Sequence, residues 1–395
     1  MGRPFTAGTV YFFSWCLHCV RVSRPGNFAF PLCRPLPCFF DGGMLILVTG
    51  ATGHLGANLV RRLLRDGEEV RALVMNDSFS RSRALEGLPV HCVSGDIRDI
   101  AATARAMAGC DRVYHCAARI STTQGGRREI YRTNVLGTRN VLEVARRRGV
   151  ERVVVTGSFG ATGEIRGRPS AEDVPYYPFS RQTPYATTKA LVEHECLRAA
   201  VAGLDVVVAV STAILGPHDY APSRMGRVLR DFAHGRLLAY LPGGFEFVSA
   251  ADVVEGHVLA MRHGRPGRKY LFSTEFRTVD QLMDLYSAVS GRPKPLLRVP
   301  ASVMAGVAEV VQPVMTAVAP HHQPRFTPAA VRFLRSQRRA DCSRAVEELG
   351  YRPTSIASAV EDAFACFARR GVVPAPRVIP TARSGRGGSQ AQVAR

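Results

Sequence analysis

The sequence predicts an α/β fold with a doubly wound parallel sheet and a smaller C-terminal lobe. Short apolar segments alternate with helical segments from residue 44 to about 212, which is the pattern of parallel strands joined by crossover helices. The apolar segments lack alternating polar residues, as expected for strands that helices cover on both faces. After about residue 212 glycine and proline interrupt the pattern, which indicates the smaller lobe.

A glycine-rich turn follows the first predicted strand. Leu45–Val48 is apolar, the next segment has helical apolar spacing, and Val70–Val74 is the second strand. In this β-α-β context Gly50 allows a tight turn, Gly53 lets the backbone approach a pyrophosphate, and Gly56 lets the helix pack on the strand. The segment therefore predicts a dinucleotide cradle.

The rest of the body divides into two parts. Residues 44–215 are predicted to form a dinucleotide-binding domain, and residues 216–370 a substrate lobe interleaved with the sheet. Four further strands are predicted at Val90–Val93, Arg112–Cys116, Arg152–Thr156 and Val206–Ser211, and two lobe helices at Ala251–Arg262 and Val279–Ser290. At the ends, we interpret 1–43 as a disordered extension or a mis-assigned start before Met44, and 371–395 as a disordered tail.

Composition excludes several classes of partner. The net charge is +20, but arginines occur in almost every segment without a basic arm, so we predict no nucleic-acid partner. The chain contains no run of 18 consecutive apolar residues, so we predict no membrane span. Ala301–Ala319 is interpreted as a core-facing helix, with weak membrane contact as the alternative. The cysteines of the body lack metal-ligand spacing, which predicts no metal site and reduced thiols in a cytoplasmic protein.

Tyr185 and Lys189 open a predicted helix at i, i+4 spacing, which puts the phenol and the ammonium on one face. A free phenol has a pKa of about 10, and an adjacent cation brings that pKa toward the working range by stabilising the phenolate. The chain has three lysines against 49 arginines, so a retained lysine indicates a need for lysine. The pair predicts an acid/base site.

Three other polar residues are candidates for the same site. Thr156 and Ser158 follow a strand at the carboxyl edge of the sheet, where ligands bind in open α/β folds. We favour Ser158 as the group that polarises a carbonyl and Thr156 as a cap, although the two roles could be exchanged. Asn134 lies inside a predicted helix, which indicates either a hydrogen-bonding task or a satisfied buried amide.

These motifs, with Gly95-Asp96 and His115–Ala118, resemble the extended short-chain dehydrogenase/reductase family over residues 44 to 370. The details look most like its dihydroflavonol-reductase-like branch, which includes the hopanoid-associated sugar epimerase and 3β-hydroxysteroid dehydrogenase relatives. The resemblance implies a Rossmann-type fold and an NAD or NADP cofactor. The segments that resemble the branch are 70–74, 95–99, 134–141 and 216–217.

The resemblance also implies roles for the site residues. Tyr185 would be the acid/base, Lys189 the ribose anchor and pKa modifier, Ser158 the carbonyl polariser and Asn134 the holder of a proton-relay water. The implied cofactor-binding residues are Gly50, Thr52, Gly53, His54, Leu55, Gly56, Met75, Asn76, Asp96, Ile97, Ala117, Ala118, Lys189, Ser211 and Thr212.

Two departures from the family pattern bear on specificity. Val74 stands where NAD-preferring members carry an acid, and Met75 where many reductases carry an arginine for a 2′-phosphate. Asn76 could bond a ribose hydroxyl, and Arg81 or Arg83 could reach a phosphate, so the choice between NADH and NADPH stays open with a slight preference for NADH. The second departure is Ser211-Thr212 in place of the usual proline, which puts nucleotide-sugar handling in doubt.

We predict an NAD(P)H-dependent reductase or dehydrogenase that acts on a hydrophobic carbonyl or oxidised ring, in secondary metabolism. Loop aromatics suit a flat or greasy substrate. They are Phe159, Tyr176, Tyr177, Phe179, Tyr220, Phe245 and Phe247. The alternatives are a nucleotide-sugar epimerase or dehydratase with retained NAD, and a non-catalytic dinucleotide-binding redox sensor. Homodimers are common in the family.

Overall fold

A seven-stranded parallel sheet is the centre of the computed structural model, which describes residues 44–75, 83–121, 125–165, 167–179, 182–300 and 328–376. Its strands are β1 Leu45–Thr49, β2 Glu69–Val74, β3 His91–Ser94, β4 Arg112–His115, β5 Arg152–Thr156, β6 Val206–Ser211 and β10 Lys269–Phe272. The order is β10-β6-β5-β4-β1-β2-β3, and each neighbouring pair is parallel. The chain reverses its direction of travel between β1 and β4, so the sheet is doubly wound as predicted.

Helices cover both faces of this sheet. Those of the first part are α1 His54–Arg65, α2 Ile100–Ala106, α3 Arg127–Tyr131, α4 Gly137–Arg148 and α5 Pro184–Val201. Those of the second part are α6 Arg224–Ala233, α7 Ala250–His263, α8 Val279–Ser290, α9 Pro328–Ser336, α10 Ser343–Leu349 and α11 Ile356–Arg369. A π-helical turn at Arg132–Leu136 joins α3 to α4, and a 3-10 turn follows β5 at Phe159–Ala161.

The apolar strands bury both of their faces, because successive side chains of a strand point to opposite sides of the sheet. Ile46 and Val48 of β1 enter one hydrophobic cluster together with residues of α1 and α7. Leu45 and Leu47 enter another, together with residues of α2, α4 and α5. The continuous apolar run of β1 thus supplies two cores, which confirms the two-sided helix cover expected from the sequence.

The later part of the chain adds two small sheets. Their strands are β7 Ala213–Leu215, β8 Ala239–Tyr240, β9 Gly244–Ser249, β11 Glu275–Thr278 and β12 Leu297–Arg298. The orders are β11-β9-β7 and β12-β8, and a third core cluster packs α6, α8 and α11 against them. Strand β10 comes from this part of the chain yet pairs with β6 in the large sheet.

Several predictions made from the sequence fall outside the described residues. These are the extension 1–43, Asn76, Arg81, the apolar segment 301–319 and all of the tail after residue 376. Val373, at the start of the predicted tail, is described and buried in the third cluster. Among the described residues, the helices are too short or too polar for any of them to cross a bilayer.

Candidate active site

Gly50 and Gly56 shape the turn after β1 in a way that a side chain would prevent. Gly50 has φ +69°, and a Cβ there would lie 2.6 Å from the backbone nitrogen of Ala117. A Cβ on Gly56 would lie 2.2 Å from the carbonyl oxygen of Gly50. Both neighbours are backbone atoms that cannot rotate away, so β4, the turn and α1 approach one another this closely only with glycine.

The N-terminus of α1 is open to an anion. Gly53 is the N-cap, no side chain caps the helix, and its first turn holds no acid. The first N–H groups of a helix lack intrahelical partners and lie at the positive end of its dipole. This geometry fits the pyrophosphate of a dinucleotide, held by the backbone of the turn that runs from Gly50 through Thr52 to Gly56.

Side chains at the start of α1 tie this helix to the loop after β7. The His54 ring nitrogen Nε2 lies 3.1 Å from the carbonyl oxygen of Pro217, and the Asn58 amide donates to the same oxygen at 2.9 Å. The Leu55 side chain is buried in the core. His54 and Leu55 are both predicted as cofactor contacts. The His54 side chain holds the loop and the Leu55 side chain packs in the core, so a cofactor at the helix start would meet their backbone groups.

The residues predicted to surround adenine lie at the ends of β2 and β3. Asp96 accepts hydrogen bonds from the Arg98 guanidinium, and this contact lowers the pKa of the Asp96 carboxyl. Ile97 is buried, and a Cβ on Gly137 would lie 2.7 Å from its Cδ1. Met75 is exposed at the end of β2. Ile97 thus fixes α4 against this edge, while Met75 leaves the edge open.

Ser158 and Tyr185 meet at the carboxyl end of β5. Ser158 caps the following 3-10 turn by accepting a hydrogen bond from Gly160 N at 3.3 Å. Burial raises the pKa of Tyr185, and the neighbouring Ser158 hydroxyl acts in the opposite direction. The pair places a proton donor and a polarising hydroxyl side by side.

Lys189 is buried next to this pair, one helical turn after Tyr185. Only 4 % of the residue is exposed, and its ammonium donates a 2.7 Å hydrogen bond to the carbonyl oxygen of Thr156. Burial lowers the pKa of Lys189 to about 8. The Lys189 ammonium thus binds the end of β5, and its expected effect on the Tyr185 pKa stays a prediction.

The Thr156 hydroxyl serves a different purpose from that of Ser158. It lies 2.9 Å from Nε2 of His257, whose Nδ1 lies 2.7 Å from the carbonyl oxygen of Val253. Nδ1 therefore carries the ring proton, and Nε2 accepts from the threonine. Burial lowers the pKa of His257 to about 4, so the ring is neutral. Because Thr156 is committed to α7, the geometry favours Ser158 for a substrate carbonyl.

Asn134 lies in the π-helical turn, and its side chain joins three segments. Its Oδ1 accepts from Arg119 N at 2.7 Å, and its Nδ2 donates to Arg119 O at 3.1 Å and to Thr188 Oγ1 at 3.0 Å. These bonds attach the segment after β4 to α5, the helix that carries Tyr185. The amide is thus fully used within the protein, and its backbone carbonyl accepts from Thr138.

A buried histidine extends this network beneath the cofactor turn. His115 Nδ1 lies 2.7 Å from Thr49 Oγ1, and Nε2 lies 2.9 Å from Thr138 Oγ1. Burial and the charge of Lys189 lower the pKa of His115 to about 3, so it is neutral. Ala117 N, in turn, donates to Thr49 Oγ1 at 3.4 Å. The predicted cofactor contacts Ala117 and Ala118 therefore follow a strand end that buried hydrogen bonds hold in place.

The two remaining predicted contacts follow β6. Ser211 ends the strand and is partly exposed. Thr212 is buried, and its hydroxyl lies 3.4 Å from Ser273 Oγ, which donates to Glu246 at 2.8 Å. The side chain of Thr212 thus joins the lobe, and only Ser211 is placed at the open edge.

The model of the NAD dependent epimerase/dehydratase family matches residues 46–272, a span that includes both the cradle and the Ser158–Tyr185 pair. The chain belongs to the NAD-dependent epimerase/dehydratase family. Its extended short-chain dehydrogenase/reductase type, inferred from the motifs, is confirmed, and the protein is an NAD(P)-dependent oxidoreductase.

Known relatives of this oxidoreductase are reductases and dehydrogenases. Sterol demethylase protein B of Methylococcus capsulatus is 44% identical over 330 residues, 84% of this chain and 100% of that protein. A putative dihydroflavonol 4-reductase of Synechocystis sp. is 34% identical over 347 residues, 85% of this chain and 96% of that protein. The mouse sterol-4-alpha-carboxylate 3-dehydrogenase, decarboxylating, is 27% identical over 323 residues, which cover 78% of this chain and 86% of that protein.

A solved structure agrees with this assignment. The crystal structure of gox2253 superimposes with a TM-score of 0.73 at 29% identity, covering 83% of this chain and 99% of that chain. The chain therefore shares its overall fold with this solved structure.

The aromatic residues expected to line a substrate pocket separate into two groups. Phe159 and Phe247 are buried in the core, and Phe245 packs on Phe247 and Phe333. The Arg370 guanidinium lies 4.1 Å from the centre of the Tyr220 ring, and the Arg61 guanidinium donates to the Tyr220 hydroxyl at 3.1 Å. These residues pack within the protein.

The other three aromatics stand beside the catalytic helix. Tyr177 and Phe179 form an edge-to-face pair and are 62% and 83% exposed. The Tyr176 hydroxyl lies 3.0 Å from Thr187 Oγ1, two residues after Tyr185. This bond places the segment Tyr176–Phe179 against the first turn of α5.

Arg338 was not among the predicted site residues of this oxidoreductase. Its guanidinium lies 4.5 Å from the centre of the Phe159 ring, the residue next to Ser158. Nothing in the sequence distinguishes it from the other arginines, since its environment depends on segments more than 160 residues away along the chain.

Proposed function

We propose that this oxidoreductase is an NAD(H)-dependent dehydrogenase that interconverts a secondary alcohol and a ketone on a sterol-like polycycle. The observation that carries the proposal is the grouping of Ser158, Tyr185 and the buried Lys189 at the carboxyl end of β5. The relative that matches over its full length at 44% identity supports the choice of substrate class, since it is a sterol demethylase protein.

Each residue of the site has a proposed task in the oxidation. The Ser158 hydroxyl donates to the substrate oxygen and holds it beside the phenol. Tyr185, as the phenolate, takes the hydroxyl proton as the carbinol carbon loses its hydride, and in the reverse direction the phenol returns that proton. When bound, the nicotinamide accepts or supplies the hydride. Lys189, buried one turn away, would bind the ribose hydroxyls with the same ammonium that now contacts Thr156.

The exposed aromatics support a flat apolar substrate. Tyr177 and Phe179 lie next to α5 through the bond between Tyr176 and Thr187, so a hydrophobic ring system that reaches Tyr185 would pass them. Covering such rings with apolar surface is favourable by about 25 cal/mol for each Å² removed from water. Phe179, at 83% exposed, has most of its surface available for this.

The substrate proposed here can carry a carboxylate on the carbon beside the oxidised one. Oxidation would then produce a β-keto acid, whose C–C bond to the carboxylate breaks to release CO₂ while the bonding electrons enter the enolate of the ketone. The enolate takes up a proton to give the demethylated ketone. The decarboxylating sterol dehydrogenase among the relatives supports this extension.

For the cofactor, we propose NAD(H) over NADP(H). Val74 and Met75 end β2 without a guanidinium, and Met75 is exposed where a 2′-phosphate would need a cation. Arg98, which follows the predicted cofactor contacts Asp96 and Ile97 in the chain, is already paired with Asp96 and Glu129. The family matched by the chain is NAD-dependent, which agrees with this choice.

The test is the formation of NADH from NAD⁺, or of NADPH from NADP⁺, by the purified protein. The substrates are a 3β-hydroxysterol, its 4-carboxy derivative and, as the control, UDP-glucose. We expect turnover of a sterol with NAD⁺, CO₂ release from the carboxylated sterol alone, and a kcat that falls about 10³-fold in Tyr185→Phe with unchanged NADH affinity. NAD⁺ that copurifies without exchanging, together with turnover of UDP-glucose, would move the assignment to an epimerase.

A further inference from the structure

We propose that Arg338, in the C-terminal lobe, is a positioning residue that holds the loop after Ser158 and thereby sets the place of the Ser158 hydroxyl. The inference rests on the proposed role of Ser158. The proposal concerns the segment from Ser158 to Val174, called the catalytic loop below, and the segment from Gln337 to Asp341, called the strap.

Arg338 is built into the catalytic loop by three hydrogen bonds and one ring contact. Its Nη2 donates to Thr162 O at 2.9 Å, to Gly163 O at 2.8 Å and to Ser170 Oγ at 2.9 Å. Its guanidinium also covers the buried Phe159 ring at 4.5 Å. One side chain therefore fixes both the start and the middle of the loop.

The guanidinium is buried, so these contacts take place away from water. The side chain is only 10% exposed, and Glu164 Oε2, at 3.6 Å from its Nε, is the carboxylate beside it. A buried cation is costly unless hydrogen bonds replace its water. The loop does this for Nη2, and the buried Nε has only the Glu164 carboxylate at 3.6 Å beside it, beyond hydrogen-bond distance. A buried guanidinium is not needed for solubility, which points to a structural role in holding the loop.

The strap connects the catalytic loop to the lobe. Ser170 N donates to Arg339 O at 2.8 Å, and Asp341 N donates to Ser170 O at 2.9 Å, which forms a parallel bridge. Ala340 N donates to the buried Glu246 carboxylate of β9 at 3.0 Å. The position of Arg338 is therefore fixed from the lobe side, and the strap backbone and the Arg338 side chain together hold the loop.

The chemical consequence reaches Tyr185 through Ser158. Ser158 directly precedes Phe159, so a shift of that ring moves the Ser158 hydroxyl, which opposes the burial-induced rise in the Tyr185 pKa. Loss of Arg338 should then weaken this effect of Ser158 and raise the pKa that governs turnover. Lysine cannot substitute, because it lacks the planar group that both bonds the carbonyls and covers a ring.

The experiment compares Arg338→Lys with Arg339→Lys, the matched control. Arg339 is the next residue, and its guanidinium covers a ring of the lobe instead, that of Phe276 at 4.6 Å. For Arg338→Lys we expect kcat to fall about 10-fold to 10²-fold, as for a small misplacement of a reacting group, with the KM for NAD⁺ within about twofold. The pH at half-maximal kcat should rise. Arg339→Lys should leave both values near those of the parent.

Two measurements separate this effect from simple misfolding. Amide hydrogen exchange at 159–171 should increase in Arg338→Lys and stay unchanged in Arg339→Lys, and this readout needs no substrate. In Arg338→Ala, guanidinium at concentrations far below denaturing should restore part of kcat by occupying the vacated site. No gain with guanidinium and unchanged exchange would overturn the proposal.

Ser158→Ala distinguishes failure of the inference from failure of the proposed function. If Ser158→Ala lowers kcat and raises the governing pKa, and the double variant with Arg338→Lys is no worse than Ser158→Ala alone, Arg338 acts through Ser158. Additive losses would overturn the inference and leave the proposed function in place. An unchanged kcat in Ser158→Ala would overturn the role of Ser158 and the inference with it.

Discussion

The predicted cofactor cradle, from Gly50 to Gly56, and the proposed catalytic edge, with Ser158 and Tyr185 after β5, lie at the same end of one sheet. The two regions are built by opposite means. The cradle requires glycine, since a Cβ at Gly50 or Gly56 would overlap backbone atoms. The catalytic edge depends on polar side chains that are present and buried, among them His115, Lys189 and His257. In the cradle the backbone itself would face the ligand, whereas at the catalytic edge buried side chains hold the backbone in place through hydrogen bonds.

The difference teaches what each region can tolerate. A cradle made of backbone has little freedom to relax, so one extra carbon is enough to disrupt it. A network of neutral buried hydrogen bonds keeps its shape but depends on protonation, because each histidine must stay uncharged. Steric change should therefore damage the cradle most, and pH should damage the catalytic edge most.

The largest effect is expected from Gly56→Ala. The new Cβ would lie 2.2 Å from Gly50 O, so α1 must move away from the turn. We expect the free energy of unfolding to fall by about 3 kcal/mol and NADH binding to be lost. Urea titration and NADH fluorescence measure the two effects. Gly125→Ala, where a Cβ has no neighbour within 4 Å, is the control and should change neither.

A smaller effect is expected from acid. Burial lowers the pKa of His115 to about 3 and that of His257 to about 4, whereas a histidine of the unfolded chain has a pKa of about 6.5. The unfolded state then binds protons first, so stability is full above pH about 6.5 and is lost as the pH falls toward 4. Between pH 7 and pH 5 each ring should contribute a loss of about 2 kcal/mol.

Urea titrations at several pH values check this expectation. In His257→Phe the pH dependence should become shallower, since one of the two buried rings is gone, even though the variant is less stable at neutral pH. His263→Asn, which changes an exposed histidine at the end of the same helix, is the control and should keep the parent slope. A parent slope in His257→Phe would show that this ring is not the group that titrates.

The smallest effect sharpens the comparison by separating stability from turnover. Thr183 caps the helix that carries Tyr185, and Ser223 caps α6, which lies in the lobe. Replacing either by alanine should cost about 1 kcal/mol of stability. Only Thr183→Ala should also lower kcat, by a few-fold, because the first turn of α5 positions the phenol. Thermal melts and steady-state kinetics on both variants decide this, and equal kcat values would argue against it.

The sequence predicted those parts of the molecule that local spacing determines. The glycine turn, the central strands and the Tyr185–Lys189 pair all lie within one or two elements, and the fold was predicted correctly because strand and helix patterns are local. Thr156 and Ser158 could be ranked but not separated from the sequence. Their difference lies in a partner, His257, about 100 residues further along the chain.

What the sequence missed depends on contacts between distant segments. Asn134 could be singled out as an unusual helical residue, yet its bonds to Arg119 and Thr188 required three elements to come together. Arg338 had no local signature in an arginine-rich chain. The sequence could name the loop aromatics, but their division between core and open edge followed from packing, as the contacts of Tyr220 with Arg370 and Arg61 illustrate.

The wide turn at Arg132–Leu136 limits how the length of this segment can vary. A π-turn accommodates about one more residue than an α-turn, and each helical residue advances the chain by about 100° around the axis. Deleting one residue there would leave a more regular helix. It would also rotate every earlier side chain out of phase with the later ones, taking Ile130 from the core or Asn134 from Arg119. The number of residues in this turn is therefore more strictly constrained than their identity.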